Sequence, residues 1–144
     1  MDSLNEALKY YFRVNDDSCE NQSAYKFCIL LLYHSIELLI KELLYREHEC
    51  LLNESIDDFG RKDKQTVGFK KALMRAKGIC KVDFMFYEDV MINLANHRNT
   101  IQHLKCDVPD EVSKEVVLSS LSAVEFIIND ILCVKFEDYS SVLD

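Results

Sequence analysis

A chain of 144 residues with only three glycines and one proline has few places at which to turn. Tight hairpins draw on glycine for positive φ and on proline for a preset φ, so an all-β fold would need many more of both. Long helices joined by short connections need little of either. The expected fold is therefore all-α, an antiparallel bundle of four to five helices. With 49% apolar residues, the chain can fill a globular core as a single domain over 1–144, without disulfide or metal staples.

Apolar spacing places the helices. Leu4, Ala7, Leu8, Tyr11 and Phe12 recur at helical intervals, predicting a short helix over 3–13 with Ser3 as its cap. After a polar connection over 14–22, Ser23 can cap a long helix running to about Leu52, the principal core element. Residues 53–65 read as a loop broken by Asp57-Asp58-Phe59-Gly60, followed by a basic helix from about Thr66 to Lys77 that Gly78 ends. Asp83 is the expected cap of a helix over 84–105, with Phe84, Tyr87, Met91, Leu94 and Ala95 turned to the core. Asp107 to Glu111, with Pro109 at its centre, stops that helix and starts the last one, over about 110–136. The tail from Glu137 is expected to fray.

Charge and cysteine usage narrow the function classes. A net charge of −8 argues against a general nucleic-acid binder, yet residues 61–81 hold eight basic side chains against the single acid Asp63. That stretch is either a solvated surface or a phosphate-binding stripe, with Lys70, Lys71 and Arg75 as candidate RNA contacts. Six cysteines, at 19, 28, 50, 80, 106 and 133, lie no closer than nine residues apart. They show no zinc spacing, and Cys28 and Cys133, within apolar runs, read as buried reduced thiols. The first residues lack a basic segment followed by an apolar core, so no secretory signal is expected, and the cytoplasm is the expected compartment. The longest apolar run, Phe27 to Tyr33, is seven residues, where a membrane span needs about 20.

Chemistry concentrates in Asn96-His97-Arg98-Asn99-Thr100-Ile101-Gln102-His103. Arg98 supplies a permanent cation, Asn99 a neutral positioning group, and His103 a side chain of the type that moves protons near neutral pH. On a helix, Asn99 and His103 share a face, whereas Arg98 and His103 diverge by roughly 140°. The arginine stem must then wrap around the helix, or a second element must complete the site. No His-Glu-x-x-His, no Glu-x-x-His pair, no glycine-rich phosphate loop and no Gly-x-Ser-x-Gly elbow is present. No metal site and no cofactor is expected, and metal-independent cleavage of RNA is the chemistry that remains.

The pattern Arg98-Asn99-x-x-x-His103 resembles the signature of the HEPN superfamily, and Tyr33 to Leu44, with its Glu37-Leu38-Leu39-Ile40-Lys41, looks like the long helix that precedes the motif helix there. The resemblance covers about residues 21–136. It implies an endoribonuclease acting at a composite cleft between two copies of the chain, in a defence or toxin–antitoxin setting. Arg98 would bind the scissile phosphate, His103 would transfer protons, and Asn99 would position substrate or the histidine. Glu37 either lies on a solvated face or, as the resemblance implies, orients Arg98 or His103; His34 and His48 read as ordinary surface histidines. The alternative is a HEPN domain that binds RNA, nucleotide or protein without cleavage. Relatives paired with a nucleotidyltransferase antitoxin carry a tyrosine two residues after the motif histidine, where this chain has Lys105. Regulation by that modification is therefore not expected, and an antitoxin of another type, or another protein partner, is left open.

Overall fold

The computed structural model describes residues 2–13, 20–58, 60–104 and 109–133, and it is all-α, with no strand among them. The five helices are α1 (Asp2–Arg13), α2 (Glu20–Glu47), α3 (Phe69–Gly78), α4 (Tyr87–Leu104) and α5 (Asp110–Phe126). The chain divides into two compact units, one made of 1–36 with 86–144 and the other of 37–85. No helix in the described residues is long and apolar enough to cross a membrane.

The first unit contains α1, the first half of α2, α4 and α5. Its buried side chains follow the helical repeat: Leu4 and Ala7 on α1, Cys28, Ile29, Leu32 and Ile36 on α2, and Met91 and Leu94 on α4. On α5 the buried set is Val116, Val117, Ala123 and Val124, and α5 packs on α4. The Cys28 thiol donates to the Ala7 carbonyl at 3.3 Å, and burial raises its pKa to about 12. Two buried hydroxyls bond within their own helices: Ser120 donates to the Val116 carbonyl and Ser35 to that of Leu31. After Phe126 the helix widens into a π turn, Ile127–Ile131, closed by Leu132 N–H on the Ile127 carbonyl at 2.8 Å.

The second unit is a helix, a loop and a helix. The end of α2 passes through a 3₁₀ turn, Glu49–Leu52, in which the Cys50 N–H donates to His48 Nδ1 at 3.1 Å. The loop that follows is closed at its neck by an antiparallel bridge between Asn53 and Thr66. Glu54 N–H donates to Gln65 and Val67 N–H to Leu52 at 2.8 Å each. Gly60 turns the loop at φ +86. Ile40, Leu44, Leu51, Val67, Leu73, Ala76 and Phe84 fill the core beneath it.

Several ends differ from the sequence reading. Ser3 and Ser23 lie inside helices that begin at Asp2 and Glu20, so neither is a cap. The long helix ends at Glu47, five residues before Leu52, and α3 starts at Phe69. Gly78 is the last residue of α3, and the chain reverses at Lys81, a left-handed residue at φ 58. Asp83 does accept a backbone N–H, from Met85 at 2.8 Å, but Met85 is itself left-handed and α4 starts only at Tyr87. Cys133 is exposed, because the π turn ends its run and φ reverses to 54 there. The readings of 14–19, of Asp107 and of the chain beyond residue 133 lie outside the described residues, as do Cys19, Cys106 and Lys105.

Candidate functional site

The whole segment from Asn96 to His103 is helical and lies in the second half of α4. Met91 and Leu94 bury one side of this helix completely, which fixes its rotation and decides where each polar side chain goes. At about 100° per residue, the side opposite the core carries Ile92, Asn96, Asn99 and His103 in one stripe. All four are exposed. Asn99 and His103 thus share a face, as their spacing predicts.

Arg98 leaves α4 nearer the buried side. Its guanidinium lies over the Tyr33 ring of α2, 4.9 Å from the centroid, within the range of a cation–π contact. From there one terminal N–H donates to the Asn99 side-chain oxygen at 2.9 Å. The stem thus brings Arg98 to Asn99, its neighbour in the chain. It does not bring Arg98 to His103, which stands five residues on and about 140° away.

The neighbouring polar groups are occupied within the helix. The His97 Nδ1–H donates to the Asn93 carbonyl at 3.0 Å, and Thr100 donates to that of Asn96 at 3.0 Å. His97 is thereby tied to the backbone four residues earlier, and His103 is the histidine on the exposed stripe. From Val90 to Leu104 the helix contains no acid, a notable gap in a chain of net charge −8. An anion approaching this part of α4 meets one cation, two histidines and neutral amides.

Glu37, read either as part of a solvated face or as an orienting carboxylate, receives a hydrogen bond from Lys41 of its own helix at 2.8 Å. Both side chains are about one-fifth exposed, an i, i+4 pair along α2. Among the described residues, the group beyond α4 that touches Arg98 is Tyr33, an aromatic ring 65 positions away in the chain. Its one signal in the sequence was its place at the start of the run that resembles the helix before a HEPN motif.

The basic stretch separates into two kinds of cation. Arg75 donates to the carbonyls of Leu51 (2.7 Å), Asn53 and Glu54 (3.1 Å), so its guanidinium holds the neck of the loop to α3. Lys71 donates to both the carboxylate and the carbonyl of Glu54. With the Gly68 N–H also on that carboxylate, the Lys71 bond first and the Gly68 bond second hold the Glu54 carboxyl below its ordinary range. Arg61 pairs with Asp58 at 2.9 Å and Lys64 with Glu49 at 3.7 Å. Lys62, Lys70 and Lys81 are exposed and have no such partner among the described residues. Of the three candidate RNA contacts, Lys70 points outward, while Lys71 and Arg75 are engaged in the fold.

Beside that loop, Glu54, Ser55, Asp58, Arg61, Asp63, Lys64 and Gln65 line an open depression of about 250 Å³. Within it Asp58 pairs with Arg61, while Glu54 and Lys64 pair with Lys71 and Glu49 outside its lining. Among the described residues no three of His, Cys, Asp and Glu cluster closely enough to hold a metal ion. No protein-family model, no curated protein and no solved structure matches the chain.

Proposed function

We propose that the chain is a metal-independent endoribonuclease of HEPN type, assembled as a homodimer whose two α4 helices form one cleft. The observation that carries this reading is the placement of Arg98, Asn99 and His103 on α4: a guanidinium fixed by a ring and an amide, and an exposed histidine farther along the same acid-free stretch, 90–104, of that helix. One copy offers one outward histidine on this helix, and two copies facing each other would offer two, one to act as base and one as acid. The exposed stripe Ile92, Asn96, Asn99 and His103 carries no acid, which permits the same face of a second copy to approach it.

In the proposed reaction one His103 takes the proton of a ribose 2′-hydroxyl, and the 2′-oxygen forms a bond to phosphorus as the bond from phosphorus to the 5′-oxygen breaks. The other His103 delivers a proton to the departing 5′-oxygen. Arg98 offsets the added negative charge on the phosphoryl oxygens, a task for which a guanidinium has the matching planar donors. Asn99 holds Arg98 in place. Cytoplasmic action and a defence or toxin–antitoxin setting, with an antitoxin or another protein as partner, belong to this proposal.

The second reading is a module that binds RNA, nucleotide or protein without cleavage. It is favoured by the same Tyr33 contact, since an arginine lying on a ring is also a way to pin two helices together. Incubation with end-labelled single-stranded RNA in EDTA separates the two. The nuclease reading predicts fragments ending in a 2′,3′-cyclic phosphate, and none where the cleaved position carries a 2′-deoxyribose. Intact RNA contradicts it.

A further inference from the structure

We infer that Tyr33 is a positioning residue for Arg98, its ring setting where the guanidinium presents its N–H edge to a phosphodiester; this rests on the reading that Arg98 binds the scissile phosphate. An arginine can be fixed from its edge or from its face. A carboxylate fixes the edge, takes two parallel N–H groups and cancels the charge, leaving little with which to bind a phosphate. A ring fixes the face, where there are no N–H groups, and leaves both donors and charge in place.

The geometry is of the second kind. The guanidinium carbon lies 4.9 Å from the Tyr33 centroid, and among the described residues one terminal N–H is taken, by the Asn99 amide oxygen at 2.9 Å. No carboxylate pairs with Arg98 among the described residues. Tyr33 is itself well placed to be rigid. It sits one residue after Leu32 and three before Ile36, both fully buried, so the helix under the ring cannot roll without emptying the core. Ring, guanidinium and amide form a short chain of contacts from α2 to α4. It ends in donors that remain available to an anion.

The test uses the full-length protein with Tyr33→Phe and Tyr33→Leu, the first keeping the ring face and the second removing it. Two readouts are taken. The first is the Arg98 Nε–H resonance by NMR, assigned by its absence from Arg98→Lys. A ring over the guanidinium displaces it upfield; the displacement should persist in Tyr33→Phe and vanish in Tyr33→Leu. The second is cleavage of single-stranded RNA. Tyr33→Leu should lower kcat about tenfold with KM within about twofold, because the contact serves the transition-state charge, and Tyr33→Phe should restore the rate. In the Arg98→Lys background, Tyr33→Leu should cause no further loss, whereas a merely structural tyrosine would still cost activity there.

An unaltered kcat in Tyr33→Leu, or equal losses in the Phe and Leu variants, overturns the inference even if RNA is cleaved. If wild-type protein leaves RNA intact, the nuclease reading fails and the resonance alone decides whether Tyr33 positions the guanidinium. An Nε–H signal at the same place in all three proteins overturns it.

Discussion

At the scale of single residues, the same side-chain type does opposite work in different places, and burial and partners tell the uses apart. Arg75 gives its guanidinium to three backbone carbonyls, whereas Arg98 lies over the Tyr33 ring and gives one N–H to the Asn99 side chain. Arg75→Gln is therefore expected to destabilise the protein by about 2 kcal/mol, or roughly 5–8 °C in thermal midpoint, because charged hydrogen bonds to carbonyls are lost together. Lys70→Gln should leave the midpoint unchanged, and calorimetry on both variants checks the contrast. If the basic stretch also touches RNA, the contacts fall to the outward cations. Replacing Lys62, Lys70 and Lys81 by glutamine should then flatten the salt dependence of RNA affinity by about one unit for each lost contact. An unchanged slope would leave those lysines as a solvated face. Arg98, Asn99 and His103 are singled out in the sequence by residue type and spacing alone. Their partners are not. Tyr33 and the carbonyls around Arg75 are met only across 65 and 21 to 24 positions, and nothing local in a sequence encodes such a meeting.

At the scale of elements, periodicity found the helices because burial of one face imposes it, as Leu4 with Ala7 on α1 and Met91 with Leu94 on α4 show. It did not find their ends. Serine is compatible with both a cap and a first turn, so Ser3 and Ser23 could not mark the starts. The reversal after α3 falls on Lys81, a residue with no special liking for φ 58. The loop of the second unit has a clearer logic. Gly60 occupies φ +86 with open space where a Cβ would stand, so Gly60→Ala is expected to cost about 1 kcal/mol through backbone strain alone, read from the shift in denaturation midpoint. Glu54 adds a pH dependence. Its folded-state pKa lies below the ordinary value of 4.5, so as pH falls the unfolded chain takes up the proton first. The contribution is complete above that value and is lost as pH falls through the folded pKa. The wild-type protein should be more stable than Glu54→Gln at neutral pH, by a margin that added salt reduces, since the carboxylate is solvent-exposed. The two should converge in acid. Thermal midpoints of both proteins from pH 7 downward check the sign.

At the scale of the whole molecule, the central claim is that a stable helical scaffold displays a reactive face on α4 that two copies complete. The protein is expected to sediment as a symmetric dimer at micromolar concentration, and a strictly monomeric species that still cleaved RNA would contradict the composite cleft. Asn99→Ala should lower cleavage less than Arg98→Ala, because Asn99 acts through the arginine. The most direct test is His103→Ala, with cleavage rate and thermal midpoint measured on the same preparation. His103 is exposed on the stripe opposite the core, so its removal should leave the midpoint within about two degrees, as exposed substitutions usually stay within about 0.5 kcal/mol. Loss of a group that transfers protons should at the same time slow cleavage by about 10²–10⁴-fold. A His103→Ala protein that cleaves RNA at the wild-type rate would contradict the account.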